Sequence, residues 1–86
     1  MFIILSYDVN KKRTGKILKI CRKYLQHVQK SVFEGQLTEA KLKNLKWELK
    51  NNINVQEDAI CIYSFETLKY TNKEQIGKTQ YNEHII

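Results

Sequence analysis

The chain has 86 residues, with 15 Lys and Arg against 9 Asp and Glu, which gives a formal charge of +6. That length means one domain, residues 1–86, with a core that is only just sufficient, because a domain this small buries about 60% of its unfolded surface. The charge favours a polyanionic partner or an acidic protein surface, and the lack of Pro with only three Gly excludes a linker, a low-complexity tract or a second domain.

The first apolar run is too short for a signal peptide or a membrane span, so a soluble, cytoplasmic protein with no membrane partner is expected. Cys21 and Cys61 both fall inside apolar patterns rather than in loops. This suits a reducing compartment, and no disulfide between them is expected.

Phe2 to Val9 reads as an almost wholly apolar strand with Asp8 at its exit, directly ahead of Lys11, Lys12 and Arg13. A carboxylate at a strand end can hold a hard divalent cation while neighbouring bases attract a polyanion. The same Asp fits a turn former that hydrogen-bonds its own backbone. From Val9 through Phe33 there is no acidic residue, whereas Lys11, Lys12, Arg13, Lys16, Lys19, Arg22, Lys23 and Lys30 all fall in that interval.

The spacing predicts a helix over Thr14 to Gln26, with Ile17, Cys21, Tyr24 and Val28 on one stripe and Leu18 and Leu25 beside it. Lys12, Lys16, Lys19 and Lys23 share the opposite face. That face is either an ordinary solvated surface or a phosphate-binding one, and periodicity does not choose between them. His27 is expected at the end of this helix, where a cation complements the dipole.

Val28 to Leu37 is β-rich and reads as one strand or a tight pair. A second helix follows, capped by Thr38, with Glu39 in its first turn, Leu37 stapled onto Leu42, and Leu42, Leu45, Leu49 and Ile53 as the buried stripe. Trp47 lies off that stripe among Lys43, Lys46 and Lys50. It fits a contact with a partner or a nucleic acid, and it also fits an indole lying flat along lysine stems.

Asp58 to Phe65 reads as a clear strand, Tyr70 to Gly77 as a weaker polar one at an edge, and the tail from Tyr81 ends in two isoleucines that need cover. Splitting Val28 to Leu37 into two strands gives βαββαβ. This is an α+β, ferredoxin-like sandwich with both helices on one face of an antiparallel sheet. The open face requires a cover, and the simplest is a second copy.

Leu5-Ser6-Tyr7-Asp8-Val9, Arg13, Gln29-Lys30-Ser31-Val32-Phe33-Glu34-Gly35 and Ile62-Tyr63-Ser64-Phe65 resemble the CRISPR-associated endoribonuclease family over Met1 to Gly77. This is the smaller of the two core CRISPR adaptation proteins. The resemblance implies a ferredoxin-like homodimer in which the first-strand aspartate, Asp8 here, faces its twin across a two-fold axis, and the pair shares one divalent metal, usually magnesium. Magnesium keeps several waters and needs only one or two carboxylates, so symmetry can supply the missing ligand.

On the same resemblance, Lys11, Lys12, Arg13, Lys16, Lys19 and Lys23 would position and neutralise a nucleic-acid backbone. Tyr7, Ser31 and Phe33 match family positions near the dimer cleft, although Tyr7 and Phe33 read equally well as packing residues and Ser31 as a turn hydroxyl. The implied role is spacer acquisition in antiviral defence, as a magnesium-dependent endonuclease hydrolysing phosphodiester bonds of single-stranded RNA or double-stranded DNA.

The alternative role is a non-catalytic dimeric scaffold that binds DNA and bridges copies of the larger integrase subunit. No histidine or second carboxylate is spaced as a general base. Residues 78–86 carry no family motif, but in related proteins this part forms an extra C-terminal strand docked on the other protomer or the partner, and Asn82 to Ile86 suits strand addition.

Two other classes fit less well. An RNA-binding module would display an aromatic stacking pattern on its central strands, and neither Phe2–Asp8 nor Asp58–Phe65 has one. An acylphosphatase-like loop needs glycine, which Asp8–Thr14 lacks.

Overall fold

Strand β1 (Phe2–Asp8) alternates strictly, with Ile3, Leu5 and Tyr7 buried and Asp8 exposed at its end. Alternation of this kind puts one face against a core and the other towards solvent. The computed structural model describes residues 1–66 together with Glu74 and Ile76. Within them β1 is followed by α1 (Lys11–Tyr24), β2 (Gln26–Gln29), β3 (Val32–Gln36), α2 (Glu39–Lys50) and β4 (Ala59–Phe65). The four strands form one sheet in the order β2-β3-β1-β4, with every neighbouring pair antiparallel. This is the ferredoxin-like βαββαβ arrangement.

Both helices cover the face that carries Ile3, Leu5, Tyr7 and Phe33. Helix α1 contributes Ile17, Ile20 and Cys21, α2 contributes Leu42, Leu45 and Leu49, and Leu25 and Leu37 complete the cluster. Burial pushes the Cys21 thiol up to about 12, so it behaves as a small apolar group. Gly35 lets the end of α1 approach the sheet, because a Cβ there would lie 3.2 Å from Leu25 Cδ2. Leu37 and Leu42 are both buried on either side of the Thr38 cap, as the staple requires.

Register fixes the other face. Phe2, Ile4 and Ser6 of β1 stand opposite Phe65, Tyr63 and Cys61 of β4 on one side and Gln36, Glu34 and Val32 of β3 on the other. No described helix covers this face, and Tyr63 is 57% exposed on it. Cys21 and Cys61 are both free thiols, one in the core and one on the open face.

Several boundaries differ from the sequence-based expectation. Helix α1 starts at Lys11 rather than Thr14, because the Asn10 side chain accepts the Lys12 N–H at 3.1 Å and caps the helix three residues earlier. It ends at Tyr24, with Leu25 extended, so Val28 belongs to β2 and not to the helical stripe. His27 is likewise in β2. It is buried, stacked on Phe33 at 4.3 Å, and its Nε2 contacts the Lys30 carbonyl, so it is a core residue of the sheet rather than a residue at the helix end.

Ile53 lies past the end of α2, half-buried against the core. The strand expected over Tyr70 to Gly77, apart from Glu74 and Ile76, and the extra strand expected in the tail up to Ile86 lie outside the described residues. Among the described residues no helix is long and apolar enough to cross a membrane.

Candidate active site and nucleic-acid interface

The exit of β1 sets the geometry. Alternation turns Asp8 towards the open face, level with Ala59 of β4, and only Val9 and Asn10 separate it from α1. Helix α1 therefore begins with Lys11, Lys12 and Arg13 and has no acidic residue in its first turn. Three cations at the positive end of a helix dipole repel it and one another, so this start needs compensation from elsewhere.

Asp58 provides it. Its side chain is fully enclosed, and it accepts from Arg13 Nε at 2.6 Å, Arg13 Nη2 at 3.0 Å and the backbone N–H groups of Asn10 and Asn54 at 2.8 Å each. Glu57 adds an ion pair to Arg13 at 3.5 Å and accepts from Asn10 Nδ2 at 3.0 Å. The Arg13 guanidinium, ahead of the two backbone donors, holds the Asp58 carboxyl well below the usual carboxylate range. This hub ties the β1–α1 turn to the α2–β4 loop.

Arg13 therefore differs from its expected role. Its side chain is only 18% exposed and its guanidinium faces Asp58 and Glu57, so the structure makes it an anchor of the helix start rather than an open phosphate ligand. Asp58 is the residue that the sequence reading missed. Its signal lay in the topology: once β4 is placed beside β1, the residue before β4 must lie next to the turn that leaves β1.

Lys11, Lys12, Lys16 and Lys19 are exposed along α1. Lys23 is exposed too but pairs with Glu48 of α2, which also accepts from the Tyr24 hydroxyl. The Lys23 ammonium, with the Tyr24 hydroxyl second, holds the Glu48 carboxyl below its ordinary value. The cations of α1 open to a polyanion are therefore Lys11, Lys12, Lys16 and Lys19, with Arg22 also exposed near the helix end.

Tyr7, Ser31 and Phe33 do not join Asp8 in one cleft within the chain. Phe33 is fully buried and Tyr7 nearly so, their rings 6.2 Å apart on the helix-covered side of the sheet, away from Asp8. Burial raises the Tyr7 hydroxyl above its ordinary value. Ser31 is half-buried in the β2–β3 turn, where Lys30 takes a φ of 38°, and the Ser31 carbonyl accepts the Tyr7 N–H at 3.2 Å. All three have the placement of packing and turn residues.

The donor set can be tested against a metal. Among the described residues, no hydrogen bond or ion pair engages the Asp8 carboxylate, and no group of three or more His, Cys, Asp or Glu side chains could enclose an ion. A closed protein cage within one chain is thus absent there. One exposed hard oxygen donor fits a cation that retains most of its water, with any second carboxylate coming from another copy.

The family model for the CRISPR associated protein Cas2 matches residues 1–73. The chain belongs to the Cas2 family. The CRISPR-associated endoribonuclease Cas2 of Thermotoga maritima is 47% identical over 77 residues, spanning 90% of this chain and 88% of that protein. The CRISPR-associated endoribonuclease Cas2 of Dictyoglomus turgidum is 44% identical over 77 residues, with the same coverage of 90% and 88%.

Solved Cas2 structures share the fold. A crystal structure of Cas2 aligns with a TM-score of 0.82 at 35% identity, covering 93% of this chain and 90% of that one. Cas2 of Streptococcus pyogenes, solved at pH 6.5, aligns at 0.77 and 32% identity, covering 90% of this chain and all of that one. The resemblance carried by the Tyr7-Asp8 strand end and the Gln29–Gly35 hairpin is thereby confirmed at the level of family and fold.

Proposed function

We propose that this Cas2-family chain works as a homodimer in CRISPR adaptation during antiviral defence, as a metal-assisted endonuclease hydrolysing phosphodiester bonds of RNA or DNA. The observation that carries the proposal is the Asp8 carboxylate, which stands exposed and unengaged by described side chains at the end of β1, beside a helix start made of cations. The endoribonuclease names of the relatives from Thermotoga maritima and Dictyoglomus turgidum support the same chemistry.

In this reading Asp8 and its twin hold one divalent ion, magnesium by preference. When bound, that ion polarises a phosphodiester oxygen and lowers the pKa of a coordinated water. Lys11, Lys12, Lys16 and Lys19 draw in the backbone and neutralise it, and Arg13 acts indirectly by holding the turn that presents Asp8.

Cleavage of labelled RNA and DNA with magnesium and with chelator tests this proposal. Asp8→Asn should lose cleavage by roughly a hundred-fold or more while dimer mass and nucleic-acid affinity stay unchanged. Equal cleavage by wild type and variant would overturn the assignment.

A second reading is favoured by one observation: among the described residues a single unengaged carboxylate stands at this site, and the one described histidine, His27, is inside the core. The dimer would then be a non-catalytic scaffold bridging copies of the larger integrase subunit and holding duplex DNA. It predicts no magnesium-dependent cleavage by the wild type and duplex binding that survives Asp8→Asn.

A further inference from the structure

Trp47 is the one tryptophan of the chain and is 68% exposed in the middle of α2. The helix buries Leu42, Leu45 and Leu49, and at about 100° per residue Trp47 points almost directly away from that stripe. One turn to either side on the same outward face are Lys43 and Asn44, then Lys50 and Asn51, all exposed. Lysine stems laid across the indole would cover it, and at this exposure they do not.

The charges around the ring have one sign. The acidic residues of α2 are Glu39, two turns away at the helix start, and Glu48, which is turned towards α1 and held by Lys23 and Tyr24. A flat apolar ring with a lysine one helical turn to either side of it matches a ligand that offers a π-face between two phosphates. An unpaired nucleotide does so, whereas a duplex keeps its base faces stacked inside.

We propose that Trp47, with Lys43 and Lys50, is a stacking site for an unpaired nucleotide of a single-stranded nucleic acid, a proposal that rests on the nucleic-acid reading above. The site tolerates any base, because every base has a π-face, and the two lysines take the flanking phosphates. It adds to the α1 lysines a contact that single strands make and duplexes do not.

Because Trp47 is the sole tryptophan beside five tyrosines, emission excited at the red edge that only indole absorbs reports on this site alone. Single-stranded RNA and DNA oligonucleotides should quench it, and the matching duplex should not. Fluorescence anisotropy of labelled oligonucleotides should show Trp47→Ala weakening single-strand binding by roughly ten-fold, with Trp47→Phe restoring most of the loss and duplex affinity changing less than about two-fold.

Unchanged emission while anisotropy reports binding would overturn the stacking site and leave the nucleic-acid reading standing. Equal quenching by duplex would also overturn it. Binding of no nucleic acid at all would overturn both. Emission that shifts with protein concentration alone would assign the ring to contact between copies and overturn the proposal.

Discussion

Asp58 decides how the residues around Asp8 are held. Its carboxylate receives Arg13 and two backbone N–H groups from different loops, so its loss would free both the start of α1 and the entry to β4. The folded carboxyl titrates below its unfolded value, so the stability it contributes is complete above the unfolded pKa and fades as pH falls from about 4 towards the folded value. Asp58→Asn should lower the thermal midpoint at pH 7 by roughly 5 °C or more, and the gap to wild type should narrow in melts taken near pH 3. A gap that stays constant with pH would mean that the carboxylate's charge plays no part.

At the scale of elements, α1 is built against its own dipole. Cations in the first turn destabilise a helix by about 0.3–1 kcal/mol each at an exposed surface, so Lys11 and Lys12 weaken the fold where they stand. Replacing both with Glu should raise the thermal midpoint while lowering affinity for all nucleic-acid sequences alike and flattening the dependence of affinity on salt. Affinity and salt slope equal to wild type would remove the helix start from the interface.

The same conflict explains what the sequence concealed. The two ends of β1, the Thr38 cap and the Leu42–Leu45–Leu49 stripe are local patterns, and each was legible. The start of α1 was not, because its cationic first turn argues against a helix and its compensation comes from Asp58, 45 positions away. Val28 falls one helical turn after Tyr24, so it mimicked a continuing stripe although Leu25 had already turned extended. Asp8 stood out as a lone acid at a strand exit. That Arg13 is committed to Asp58 could follow only from the pairing of β4 beside β1.

For the whole molecule, the unbalanced feature is the open sheet face. Ile4, Val32 and Phe65 are half-buried there beside exposed Tyr63, Cys61 and Asp8, a mixture of apolar surface and carboxylate that a two-fold partner could cover while bringing two aspartates together. Among the described residues a single chain has too few ligands for an ion, so metal binding should require the pairing of two copies. Titration with Mn²⁺ as a magnesium surrogate, read by paramagnetic resonance alongside native mass, measures this directly. The account predicts one tightly held ion for every two chains, lost in Asp8→Asn although the dimer persists; one ion per chain, or undiminished binding in the variant, would contradict it.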